Sequence, residues 1–516
     1  MSEKRENQIL NSHGEEHPRR LKMLHLQLIA FNLSGILPPA NTSGSRCKTM
    51  MYHVFTALSL VWFLPAITLQ LIALCQRLDD IEVATAILFQ VSCYLSTGII
   101  FFYFVWNRTE LIKLFDTLEA GFIGHMDKIG SPTRRNAILE EATRKSAVIT
   151  RALFGLCFTV EIAWGCIPCI LGYLEYLTDD EPRDLTNDRG RYFGLTMWLP
   201  ENVNESPTYE LMHVFHVIAV YTVVSNITGC YMLMFAFAFH TTTQFKILCA
   251  AFEDVDLFVQ RLHNSGRGRR RNTMEHSTDV DLSTEDGNYN YVSGSENAEM
   301  PHEGNFQGHI SGSLGPQYSV VPGRRDKAFD LRYPNDFNIT KSPRWNTEEN
   351  PETSDIEKCE YSLLQYLIEC IQFHQALIKF SKDMNKFLSP VILIFFVFSE
   401  AMMCLSTFQL ALGQADERSF KFFTSVILAF IWPLVVCTYG DELMQQSAAV
   451  SRAAFGCQWY DRSPSFNRLL RTVIMRAQKP VILTAGRFYV VSLATFADIG
   501  NKVYAYFTLL KRMNEK

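Results

Sequence analysis

Seven stretches of this chain are apolar over about the length of a bilayer crossing, and nothing else in it constrains the fold as much. A helix needs about 20 mostly apolar residues to cross the roughly 30 Å hydrocarbon core, where every backbone N–H and C=O must be paired within the segment. Stretches 51–75, 81–106, 146–174, 211–240 and 388–412 meet that length easily. Stretch 420–439 is rich in Phe and Ile and carries Pro433, which membrane helices tolerate. The seventh, 488–510, is interrupted by Asp498, Asn501 and Lys502. The expected fold is all-α: a polytopic membrane protein with seven transmembrane helices.

Composition agrees. Hydrophobic residues make up 48% of the 516 positions and charged residues 20%, below the roughly 25% usual for soluble domains. Mean hydropathy is only +0.02, so a strongly polar part must offset the apolar one. A net charge of −5 argues against a nucleic-acid partner. The 13 cysteines are scattered singly, with neither zinc-like spacing nor a small secreted disulfide framework. The opening, Met1-Ser-Glu-Lys-Arg-Glu-Asn-Gln, is too polar for a signal peptide.

Orientation follows from Lys and Arg in the short connections. With the N-terminus cytoplasmic, segments 1–50, 107–145 and 440–487 lie inside, and 76–80, 175–209, 413–419 and 511–516 outside. The inside set holds 21 Lys and Arg, the outside set 8. The C-terminus is then extracellular, the reverse of a G-protein-coupled receptor.

Four regions are expected along the chain. Residues 1–50 form a cytoplasmic segment with an amphipathic run, Leu21–Leu33, read as a short cytoplasmic or interfacial helix that the Pro38-Pro39 pair terminates. Residues 51–263 hold the first four spans; within them, 107–145 extends the second and third spans inward. The segment 175–209, with Tyr192, Phe193 and Trp198, is expected to cap the outer end of the bundle. Residues 264–355 are rich in Gly, Ser, Asn, Arg and Glu without apolar periodicity, too polar to offset their ordering entropy, and read as a disordered cytoplasmic insertion. Residues 356–516 hold the last three spans, the stretch 361–385 extending the fifth. No internal repeat suggests a transporter.

No catalytic constellation, phosphate-binding loop or metal-ligand pattern occurs, so neither an enzyme, a cofactor nor a metal is expected. Cys166-Ile-Pro-Cys169 has redox spacing but lies inside the third span, where two small packing residues are the simpler reading. Of the glycosylation sequons, only Asn204-Glu-Ser206 sits in an outer loop.

The C-terminal third carries a more specific signal. It reads Gly440-Asp-Glu-Leu-Met-Gln-Gln-Ser447, Trp459-Tyr460, Arg476-Ala-Gln-Lys-Pro480 and Ala485-Gly-Arg-Phe488, then Ser492, Phe496, Ile499, Tyr504 and Tyr506-Phe-Thr-Leu-Leu510. This closely resembles the insect odorant receptor family, whose last span reads Phe-x3-Ser-x3-Phe-x2-Ile before a Tyr-containing end. The Gly35-Ile-Leu-Pro-Pro39 turn is similar to that family too. Val503-Tyr504-Ala-Tyr506 resembles the tuning subunits more than the coreceptor, and the Thr-Tyr…Gln-Phe pattern of a gustatory receptor is not found.

The resemblance implies a plasma-membrane subunit of sensory neurons. Such a subunit binds small volatiles and joins the odorant-receptor coreceptor in a heterotetrameric cation channel. It places the pocket in the outer half of the bundle, between the second, third, fourth and sixth spans. The matching positions are Phe89, Ser92, Val160, Trp164, His216, Tyr221 and Phe422, for each of which ordinary helix packing is the simpler reading. Glu161, costly inside a span unless paired or facing water, either lines the pocket beside Trp164 or bonds to a neighbouring helix. The resemblance also makes the last span the pore lining, with Ser492, Phe496, Asp498, Ile499 and Lys502 as pore or gating candidates. Asp498 and Lys502 stand at i, i+4, the spacing of a same-face pair.

Overall fold

The structure, a computed structural model, describes residues 21–38, 45–168, 170–171, 174, 193–203, 207–258, 260, 351–412 and 417–515. By its contacts the chain separates into a unit of residues 1–260 with 356–516 and a second of 261–355; of the second, only 351–355 are described, as the first turn of a helix. The stretch 264–350, Tyr192 and the sequon Asn204 lie outside the described residues.

The helices run α1 (Leu21–Leu33), α2 (Arg46–Gln76), α3 (Ile81–Trp106), α4 (Arg108–Asp116), α5 (Ile123–Met126), α6 (Pro132–Glu161), α7 (Thr208–Glu253), α8 (Pro351–Leu412), α9 (Glu417–Gly456), α10 (Pro464–Ala477) and α11 (Leu493–Asn514). A two-strand antiparallel hairpin, β1 (Thr484–Ala485) and β2 (Tyr489–Val490), precedes α11, with Thr484 opposite Val490. Among the described residues, six helices are long and apolar enough to cross a membrane, and the chain is a multi-pass membrane protein. α11 is not among the six, because Asp498, Lys502, Lys511 and Arg512 dilute it. The expected span 488–510 also starts too early. Phe488 sits in the hairpin, and the helix begins only at Leu493, where Ser492 caps it by accepting a bond from the Thr495 N–H.

α7 is the axis of the bundle. From Asn226 to Phe252 only Lys246 escapes full burial, the pattern of a helix surrounded on all sides. α1, α3, α6 and α9 pack directly against it. α8 is tied to this centre through Tyr366, whose hydroxyl donates to the Ala251 carbonyl at 2.7 Å. α2, by contrast, leaves Leu58, Val61 and Leu64 more than half exposed, as a helix facing lipid tails would.

The amphipathic reading of α1 is corrected. Gln27, Ala30, Phe31 and Ser34 are buried while Ile29 and Leu33 are exposed, so the inward face mixes polar and apolar groups and aliphatic side chains also face outward. The reason is a polar socket. Gln27 Oε1 accepts from His240 Nε2 of α7 at 3.0 Å, and Gln27 Nε2 donates to Ser146 Oγ of α6 at 2.8 Å. The helix also ends before the proline pair acts. Gly35 takes φ +80°, and the Gly35 and Ile36 amides return to the Asn32 and Phe31 carbonyls, the double bond of a Schellman cap. Arg108 donates to the Gly35 and Ile36 carbonyls at 3.1 and 2.8 Å, pinning this turn.

The connection 107–145 extends only the third span. The second breaks at Asn107, and α4, a π-helical turn at Thr117–Gly121 and α5 form a separate foot before α6. Gly130, at φ +68°, turns the chain into α6. Asp254 at the end of α7 fixes that start, accepting from the Ser131 N–H at 2.9 Å and from Arg134 at 3.0 Å.

Candidate functional site

A cavity opens between α3, α6, α7, α8 and α9, with about 720 Å³ of empty space including the part that reaches the surface. α3 contributes Phe89, Gln90, Cys93 and Tyr94; α7 contributes Val220, Val223, Val224, Ile227 and Tyr231. The α7 positions follow i, i+3, i+4, i+7 and so share one helical face. α8 adds Phe395, Ser399 and Met402, and α9 adds Ser425, Leu428, Ala429 and Trp432.

Two aromatic clusters bound the space. At one end Phe89 stacks on Trp164 with centroids 5.9 Å apart, and Phe422 meets both edge-on at 5.6 and 5.4 Å. At the other, Tyr231 contacts Phe395 at 4.6 Å and Trp432 at 5.4 Å. Such tilted and edge-on pairs are the favourable arrangements of ring quadrupoles. Trp164 is placed by a π-helical turn, Ile162–Cys166, that continues α6. Its indole N–H is committed to Ser425 Oγ at 2.9 Å.

The surface offered to a guest is almost wholly carbon, and no charged side chain lines it. The polar lining residues are turned to other work. Gln90 Oε1 accepts from the Thr196 N–H at 3.0 Å, and Ser425 Oγ donates to the Lys421 carbonyl at 3.0 Å. Among the described residues, neither the buried Tyr94 hydroxyl nor that of Tyr231 has a hydrogen-bond partner.

One mouth of the cavity is covered by the segment 193–203, whose Leu195 joins the lining. Gln90 holds it through Thr196, and His216 Nε2 lies 3.3 Å from the Leu195 carbonyl while its ring stacks on Phe193 at 4.7 Å. Gly194 permits the fit. A Cβ there would stand 2.0 Å from the Trp164 carbonyl oxygen.

Of the residues expected from the sequence to bind a ligand, Phe89, Val160 and Trp164 line the cavity, and Phe422 supports the aromatic pair from behind. Ser92, Glu161, His216 and Tyr221 do not line it. Ser92 and Glu161 are half-buried beside lining neighbours, and Tyr221 is 42% exposed. His216 serves the covering segment instead. The fifth span, left out of the expected pocket, supplies a whole wall.

The expected Asp498–Lys502 pair does not form. Asp498 is exposed, and the Lys502 ammonium lies 3.4 Å from Glu400 of α8. Ser492 is a helix cap, Ile499 belongs to the narrow buried stripe of α11 with Val503, and Phe496 is half-buried. Cys166 is an exposed free thiol, and Cys169 lies outside the described residues.

The described residues thus form a multi-pass bundle of apolar, membrane-length helices around a carbon-lined cavity. The comparisons make the class particular. A family profile described as 7tm Odorant receptor matches residues 80–504, and the chain belongs to that family. Odorant receptor 2a of Drosophila melanogaster is 31% identical over 173 residues, covering 32% of this chain and 43% of that protein. Odorant receptor Or2 of Anopheles gambiae is 28% identical over 158 residues, covering 30% of this chain and 40% of that protein. The matched stretches thus span less than half the length of these relatives. Over the whole fold, the olfactory receptor OR5 of Machilis hrabei in complex with eugenol superposes with a TM-score of 0.62 at 13% identity, covering 95% of this chain and 99% of that one. The structure of the same receptor described without eugenol gives 0.60 at 14% identity, with 95% and 98% covered.

Proposed function

We propose that this protein is an odorant-binding subunit: it takes small volatile molecules into the cavity between α3, α6, α7, α8 and α9. With the odorant-receptor coreceptor it forms an odorant-gated, non-selective cation channel in the plasma membrane of sensory neurons. The observation that carries this reading is the cavity itself, carbon-lined and bounded by two aromatic clusters, in a chain of the odorant receptor family. Eugenol, named with the Machilis receptor, is a guest of the chemistry such a lining would accept. In this reading α11 lines the pore, with Phe496 and Asp498 toward the conduction path while Ile499 packs against the bundle, the N-terminus is cytoplasmic and the C-terminus extracellular. Asn204 is then available for glycosylation.

The test is to record currents from cells expressing this chain with and without the coreceptor across an odorant panel. Odorant-evoked cation current only in the pair supports the reading; silence of the pair at normal surface expression refutes it. An epitope tag before Met1 is expected to stay unlabelled on intact cells, and one after Lys516 to be labelled.

A further inference from the structure

An ammonium and a carboxylate on apolar helices are costly unless they meet, and where they meet they report which elements are meant to stay together. Lys502 is the one ionisable residue on the packed side of α11 that reaches another helix among the described residues. Its Nζ lies 3.4 Å from Glu400 Oε1 and 5.1 Å from the centre of the Tyr489 ring. One ammonium therefore joins three elements: α8, the β-hairpin and α11.

Glu400 sits at a particular point on α8. Ser399 and Met402, on either side of it, line the cavity together with Phe395. At 3.6 residues per turn, adjacent positions are about 100° apart, so α8 presents one face to the cavity and the next to α11. The same helix grips the hairpin lower down. The Gly486 N–H donates to the Ser389 carbonyl at 2.9 Å, and the Thr484 N–H to Asn385 Oδ1 at 2.8 Å. A Cβ on Gly486 would stand 2.5 Å from Leu393, so the hairpin is seated closely on α8. α8 thus touches the guest's space on one side and carries the last helix on the other.

We propose that Glu400 and Lys502 are positioning residues that couple the cavity wall to α11, setting how much ligand is needed to move the last helix. This rests on the reading above that the cavity binds odorant and α11 lines the pore. A displacement of the 399–402 segment by a guest changes the ion pair directly, because its Glu400 end lies within one helical turn of the lining residues Ser399 and Met402. The competing account is that the pair merely neutralises two charges for membrane insertion, with no bearing on gating.

A charge-exchange cycle separates the two. The variants are Glu400→Lys, Lys502→Glu and the two together, each co-expressed with the coreceptor and compared at matched surface labelling. The readouts are the half-maximal odorant concentration and the odorant-free current. Either reversal alone is expected to shift the half-maximal concentration roughly three- to tenfold, and the exchange to return it to within about twofold of wild type. Lys502→Arg, which keeps the charge, is expected to stay near wild type. If a reversal does not reach the surface, Glu400→Gln and Lys502→Met with their combination run the same cycle. Wild-type concentrations in the single variants, or shifts that simply add in the double, overturn the coupling. A wild-type channel silent to every odorant would instead overturn the functional reading beneath it.

Discussion

α7 and α11 are both long helices of one chain, yet they are built on opposite terms. α7 is enclosed by its own neighbours along most of its length, with Phe235 fully buried against Phe239 and Tyr439 at 5.5 and 5.0 Å. α11 buries only Ile499 and Val503 and leaves Leu493, Tyr504, Tyr506, Leu509 and Met513 exposed. The first helix is fixed by the fold of the subunit. The second packs on α9 through a narrow stripe and is held at its start by the hairpin and at its middle by an ion pair, and its large exposed surface suits a segment whose remaining contacts come from outside the chain.

The sharpest way to break this contrast is to hollow out the axis. Phe235→Ala is expected to cost about 3–5 kcal/mol of stability, seen as a large fall in the thermal midpoint of the detergent-purified subunit. A shift no greater than that of a surface substitution would show that α7 is not the structural centre. Gln27→Leu comes next. It strands the His240 and Ser146 side chains that Gln27 now bonds, and leaving buried polar groups unpaired costs about 1–3 kcal/mol. Trp164→Phe keeps the ring against Phe89 but removes the N–H bonded to Ser425. It is expected to cost about 0.5–1.5 kcal/mol and to weaken odorant responses more than surface expression. Tyr504→Ala, at a position 70% exposed, is expected to change subunit stability by no more than about 0.5 kcal/mol while reducing the yield of assembled channel in co-purification with the coreceptor.

The comparison also shows what a sequence makes legible. The apolar stretches marked every long helix but could not mark its ends. Polar extensions such as 361–385 continue a helix without a break, whereas Asn107 ends one inside a helical pattern. Several residues singled out in the sequence stand beside the cavity lining rather than in it. Phe89, Val160 and Trp164 line the cavity, but Tyr221 is one residue past Val220, Glu161 one past Val160 and Ser92 one before Cys93. One residue is about 100° of helix rotation, enough to exchange the cavity for a neighbouring helix or for lipid. That phase is set by tertiary packing and, at Trp164, by a π-helical turn with no marker in the local sequence. Tyr94, Tyr231, Phe395 and Trp432 carried no mark separating them from other aromatics in spans. The same limit applies to Lys502. Local spacing favours Asp498, but the side chain that meets it is 102 residues away in the chain.

The central claim is that an odorant sits in the carbon-lined cavity of this subunit. The most direct measurement is a structure of the assembled channel with an activating odorant bound. The account predicts ligand density between the Phe89–Trp164 pair and the Tyr231–Phe395–Trp432 cluster, under Leu195 and against Ser399 and Met402. Density for the activating odorant at any other site on the subunit, with this cavity unfilled, would contradict it.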